Sequence, residues 1–101
     1  MLDMIDIIIR ISYFREKNNL SARELSLRIG KAEDYISKLE SRNFNLPTKV
    51  LLDIIEALGV SAEEFFARDY KNFAINDNLK SALDKLSARQ KALLFELLES
   101  N

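Results

Sequence analysis

The 101-residue sequence has no cysteine, no histidine and no tryptophan, and only two glycines and one proline. Without cysteine, neither a disulfide nor a zinc finger can hold the fold. Without histidine, the commonest general base and most transition-metal ligand sets are gone, and no cofactor is implied. Scarce glycine and proline leave few points where a helix must stop. The β-branched residues recur at helical rather than alternating spacing, so the chain reads as all-α. No apolar run approaches the roughly 20 residues that span a bilayer. Residues 1–11 are apolar but carry Asp3 and Asp6 in place of a basic leader, so a cytoplasmic location is expected. The length suits one domain with a small appendage.

The chain is organised around Leu20 to Ser41, LSARELSLRIGKAEDYISKLES. Ser21 with Glu24 three residues on is a capping box that starts a helix. Leu25 and Ile29 lie one turn apart on its inner face, and Gly30 supplies the left-handed residue that ends it. Apolar spacing then resumes at Ala32, Tyr35, Ile36 and Leu39, which predicts a second amphipathic helix from Ala32 to Ser41. Two short helices joined by a Gly-containing turn describe a helix-turn-helix unit, whose second helix enters the major groove of DNA.

The net charge of -1 argues against a generic polyanion binder, but the charges are unevenly placed. The basic residues of the first two-thirds all fall in one window: Arg10, Arg15, Lys17, Arg23, Arg28, Lys31, Lys38, Arg42 and Lys49. Only Glu16, Glu24, Glu33, Asp34 and Glu40 share it. Such a window describes either a local basic footprint or a solvated mixed-charge face.

The first helix is expected from Asp3 to Asn18. One of its stripes is Ile7, Ile11 and Phe14, and a second, nearly opposite, is Leu2, Ile5 and Ile9, so each needs its own partner. After Ser41 comes a polar loop in which Phe44 and Leu46 are placed to pin it to the core. Pro47 opens a strongly apolar helix carrying Val50, Leu51, Ile54, Ile55 and Leu58, and Gly59 stops it. Ser61 with Glu64 caps a short helix bearing Phe65 and Phe66. The domain closes near residue 67. Residues 68–78 (RDYKNFAINDN) have no evident helical period and read as a linker. In residues 79–101, a helix with Leu79, Ala82, Leu83 and Leu86 precedes one capped by Ser87 and Gln90 that carries Leu93, Leu94, Leu97 and Leu98. These leucines either fold back on the Leu2, Ile5 and Ile9 stripe or meet a second subunit. A homodimer is the expected outcome, because helix-turn-helix proteins commonly read two half-sites.

From Ile7 to Phe66 the chain resembles the Xre-type, lambda-repressor-like helix-turn-helix domain, through IRISYFREKNNLSARELSLRIG, YISKLES and LLDIIEALGVSAEEFF. The resemblance implies a five-helix DNA-binding domain, here with a C-terminal helical extension, and a transcriptional regulator that acts as a dimer on a palindromic operator. It implies base reading at Glu33, Asp34 and Lys38, and phosphate contacts at Arg23, Ser41, Arg42 and Asn43. Lys31, in the same basic window, joins the phosphate set. Leu2, Ile5, Ile9, Leu93, Leu94, Leu97 and Leu98 are the candidates for a dimer interface. The pattern departs from the family at Ala22, where Gln is common, and at Ala32, where Ser or Thr usually caps. Arg42 replaces a glycine, and Pro47 falls one place late. Glu33 and Asp34 stand where Gln, Arg or Ser would be usual. Acids there favour a helix N-terminus, accept from cytosine N4, and repel phosphates.

A protein-interaction module on the same fold, such as an antitoxin or adaptor with weak or no DNA binding, is the alternative. An enzyme is not expected. Neighbouring Glu33 and Asp34 splay about 100° apart on a helix and do not form a facing acid and base pair. Ser21, Ser37 and Ser61 lack a nearby base, and there is no Gly-rich phosphate loop.

Overall fold

Asp3 begins the first helix with a reciprocal cap: its carboxylate accepts from the Asp6 amide at 2.9 Å, and the Asp6 carboxylate accepts from its own. In the computed structural model, which describes residues 2–41 and 45–99, this helix is α1 (Met4–Lys17). It is followed by α2 (Ala22–Arg28), α3 (Tyr35–Ser41), α4 (Thr48–Leu58), α5 (Ala62–Phe66), α6 (Phe73–Asp84) and α7 (Ala88–Glu99). No strand occurs among the described residues, and the fold is all-α. Asn19 takes φ 55° just beyond the end of α1, a region that Asn enters more readily than other residues with a Cβ. The chain divides into two compact units, Met1–Phe66 and Ala67–Asn101.

In the first unit, α1 packs on α3 and α4, and α2 packs on the same two helices. The core contains Ile11 and Phe14 of α1, Leu25 of α2, Ile36 and Leu39 of α3, and Ile54, Ile55 and Leu58 of α4. Phe65 closes it, its ring 5.8 Å from that of Phe14. Each such side chain contributes about 1.5–3 kcal/mol by leaving water. Two polar anchors fix the helix ends, whose last carbonyls have no partner within their own helix. Arg10 is buried and donates to the Phe65 carbonyl at 2.7 Å, tying α1 to α5. The Asn18 amide donates to the carbonyls of Phe14 and Leu58, tying the ends of α1 and α4. Gly59 ends α4 at φ +73°, a conformation that strains any residue with a Cβ.

The second unit corrects the linker expected at residues 68–78. Tyr70–Asn72 form a 3₁₀ turn, and α6 starts at Phe73. The Asp69 carboxylate accepts from the side-chain amides of Asn72 and Asn76, so these polar residues of the expected linker instead staple the start of the helix. Ile75, Leu79, Ala82 and Leu86 then fall at helical spacing, a period that Asn76, Asp77 and Asn78 obscure. Ser87 and Gln90 form the predicted box, with bonds of 3.1 and 2.9 Å in the two directions. No described residue of α6 or α7 is buried.

Candidate nucleic-acid interface

The geometry of the α2–α3 unit begins with how α2 stops. The Gly30 amide donates to Leu27 and the Lys31 amide to Ser26, both at 3.0 Å, with Gly30 at φ +74°. This Schellman-type closure turns the chain sharply and satisfies two terminal carbonyls. The predicted start of the second helix at Ala32 is then corrected. Residues 31–34 form a turn in which Tyr35 N–H donates to the Ala32 carbonyl, and α3 starts at Tyr35. Glu33 and Asp34 therefore precede the helix. The Asp34 carbonyl accepts the helical bond from Lys38 N–H.

The cap missing at Ala32 is supplied from the neighbouring helix. Ser26 is fully buried; its hydroxyl donates to the Ala22 carbonyl at 2.8 Å and accepts from the Ile36 amide at 2.9 Å. One side chain thereby satisfies an orphan donor of α3 and fixes the placement of α3 against α2. Sequence reasoning missed Ser26. The signal was a hydroxyl on the inner face of α2, one turn from Ala22 and one from Ile29. A second lock is the Arg15 guanidinium, which grips Glu40 through two bonds of 2.8 and 3.0 Å and donates to the Leu20 carbonyl.

These locks remove cations from the proposed footprint. Arg10 and Arg15 serve the interior, and Lys49 pairs with Asp53 along α4, so the basic window is not one surface. The outward side of the α2–α3 unit retains Arg23, Lys31, Glu33, Asp34, Ser37, Lys38 and Ser41, all exposed. Both acids are matched locally. Arg23 reaches across the turn to Glu33 at 3.1 Å, and Lys38 bonds Asp34 at 2.9 Å. The Lys38 ammonium holds the Asp34 carboxyl below its ordinary value of 3.8. Lys31 lies 5.4 Å from the centre of the Tyr35 ring, and burial raises the Tyr35 hydroxyl above its ordinary value. The Ser41 hydroxyl donates to the Lys38 carbonyl. Arg42 and Asn43, expected at phosphates, and Phe44, expected to pin the loop, lie outside the described residues.

Of the interface candidates, Leu2, Ile5, Ile9, Leu93, Leu97 and Leu98 are exposed, and Leu94 is half-buried. A shallow groove elsewhere on the first unit is lined by Arg28, Ile29, Asp53, Glu56 and Ala57. Among the described residues, no group of three His, Cys, Asp or Glu side chains is placed to hold a metal ion. No helix among them is long and apolar enough to cross a membrane.

No curated protein and no solved structure matches the chain. A family model described as helix-turn-helix matches residues 11–65, from the buried Ile11 to the buried Phe65, and so takes in all of α2, the turn and α3. That match covers more than half of the sequence and agrees with the observed packing of α2 on α3: the chain belongs to the Xre, lambda-repressor-like helix-turn-helix family, a DNA-binding family.

Proposed function

We propose that the protein is a sequence-specific transcriptional regulator that binds double-stranded DNA as a homodimer in the cytoplasm, with α3 and the turn before it in the major groove. One observation carries this reading: α3 is locked from behind by Ser26 and by the Arg15–Glu40 pair, while its outer side is polar and exposed. A rigid helix presenting polar side chains is what base reading requires. In this reading Glu33, Asp34 and Lys38 meet base edges, and Arg23, Lys31, Ser41, Arg42 and Asn43 meet phosphates. The homodimer is supported by the exposed leucines of α7, which have no core of their own. The function is tested by selecting bound duplexes from a random library. Enrichment of a two-fold motif with two half-sites is expected. Failure to enrich any motif, with recovery of a protein partner instead, would favour the adaptor reading.

A further inference from the structure

The two ion pairs on the outer side of the α2–α3 unit do little for the fold. Arg23 and Glu33 are 66% and 67% exposed, and Lys38 and Asp34 are 70% and 53% exposed. Pairs so open to water contribute little to stability. The start of α3 already has Ser26 on the Ile36 amide. Yet the pairs join both acids that depart from the usual residues at these positions to two of the cations assigned to DNA.

We propose that Glu33 and Asp34 are specificity-determining residues that hold Arg23 and Lys38 away from phosphates on duplexes of arbitrary sequence, releasing them where cytosine N4 amines offer the carboxylates a replacement donor. The proposal rests on α3 being the DNA-contacting helix. Non-specific affinity comes from lysine and arginine neutralising phosphates and releasing condensed counterions. A cation already matched by a carboxylate 3 Å away gains less from that exchange, and the carboxylate itself is repelled by the phosphates it approaches. At a site with a cytosine amine in reach, the carboxylate keeps a donor while its former partner turns to a phosphate or to guanine O6 and N7. Each carboxylate then keeps a hydrogen-bond donor, and each released cation keeps an acceptor. The acids thus subtract affinity from wrong sequences more than from right ones, which is discrimination by penalty.

The test compares the full-length protein with its Glu33→Gln/Asp34→Asn variant by fluorescence anisotropy between 50 and 200 mM salt. One duplex has random sequence and the other is the duplex selected by the unaltered protein. On the random duplex, binding of the variant should tighten about tenfold at low salt, and the slope of log K against log salt should steepen by about two. On the selected duplex the affinity should stay level or fall, so discrimination drops about tenfold. Equal gains on both duplexes, or no gain on the random one, overturn the proposal. Adding Arg23→Gln to Glu33→Gln supplies a second readout. Restored charge balance should return random-duplex binding to the starting level, and retention of the gain argues against masking of Arg23. If the unaltered protein binds no duplex at any salt, the DNA-binding reading has failed, a result separate from the loss of discrimination alone.

Discussion

Residues 1–66 and residues 67–101 are both made of short amphipathic helices, yet every buried apolar side chain among the described residues belongs to the first unit. There the helices cross and exclude water from Phe14, Ile36, Ile54 and Phe65 together. In the second unit, two helices of 12 residues each bury nothing fully, and Ile75, Leu79, Phe95, Leu97 and Leu98 stay exposed. A reciprocal cap of the same kind, Ser21–Glu24 in the first unit and Ser87–Gln90 in the second, starts a helix in each, so a local cap alone does not bury a helix. Helices of this length are marginal alone, and a two-helix unit cannot build a sufficient core. The first unit therefore carries its own stability, while the second depends on what it meets.

The largest expected effect separates these two kinds of leucine and phenylalanine. Phe14→Ala should cost about 3–5 kcal/mol, a large share of a small domain's stability. Leu97→Ala, at a side chain 66% exposed, should stay within about 0.5 kcal/mol in dilute protein. Urea unfolding monitored by far-ultraviolet circular dichroism checks both. Under the proposed homodimer, the cost of Leu97→Ala should grow with protein concentration, because assembly stabilises only the folded form. A large concentration-independent cost would show that the second unit has a core of its own.

Next comes Ser26→Ala, which asks whether the first unit's stability includes a polar lock as well as apolar burial. The substitution removes little volume but leaves the buried Ile36 amide without its acceptor, at a cost of about 1–3 kcal/mol. The same loss of a hydroxyl at Ser87, which caps α7 in the open, should cost about 1 kcal/mol. Amide hydrogen exchange at Ile36 should speed up more than exchange across α4. Uniform acceleration would mean that Ser26 supports the whole fold and not the start of α3 in particular.

The same contrast explains what was legible in the sequence. Caps and glycine stops are local, and so Ser21–Glu24, Ser87–Gln90, Gly30 and Gly59 could be read directly. The core stripe of α1 was legible because a period of 3.6 needs no knowledge of the partner. Arg10 was not, because a cation turned inward toward the Phe65 carbonyl is set by a residue 55 positions away. Ser26 failed for the same reason: its acceptor role exists only once α3 is docked. The late start of α3 follows from that docking, since an amide capped from another helix needs no cap at Ala32. At the candidate site, the identities of the exposed residues could be read, but the pairing of Arg23 with Glu33 across the turn could not.

The smallest effect concerns acid. The Asp3 carboxyl is held below its ordinary 3.8 chiefly by the Asp6 amide, and the Asp34 carboxyl below the same value chiefly by the Lys38 ammonium. A carboxyl whose folded value is lowered binds its proton more readily when unfolded. Its contribution to stability is therefore present above about pH 4 and is lost as pH falls through the folded value. Both groups lie in the first unit, so the acid limb should belong to that unit. Asp3→Asn keeps a good N-cap, since Asn caps about as well as Asp, while removing the titration. Combined with Asp34→Asn, it should lower the midpoint of thermal unfolding slightly at pH 7, where the carboxylates' contribution is lost, leave it little changed in acid, and so flatten its decline below about pH 4. An undiminished decline in the double variant would assign acid unfolding to other carboxylates of the chain and leave the titration of Asp3 and Asp34 with no measurable share in it.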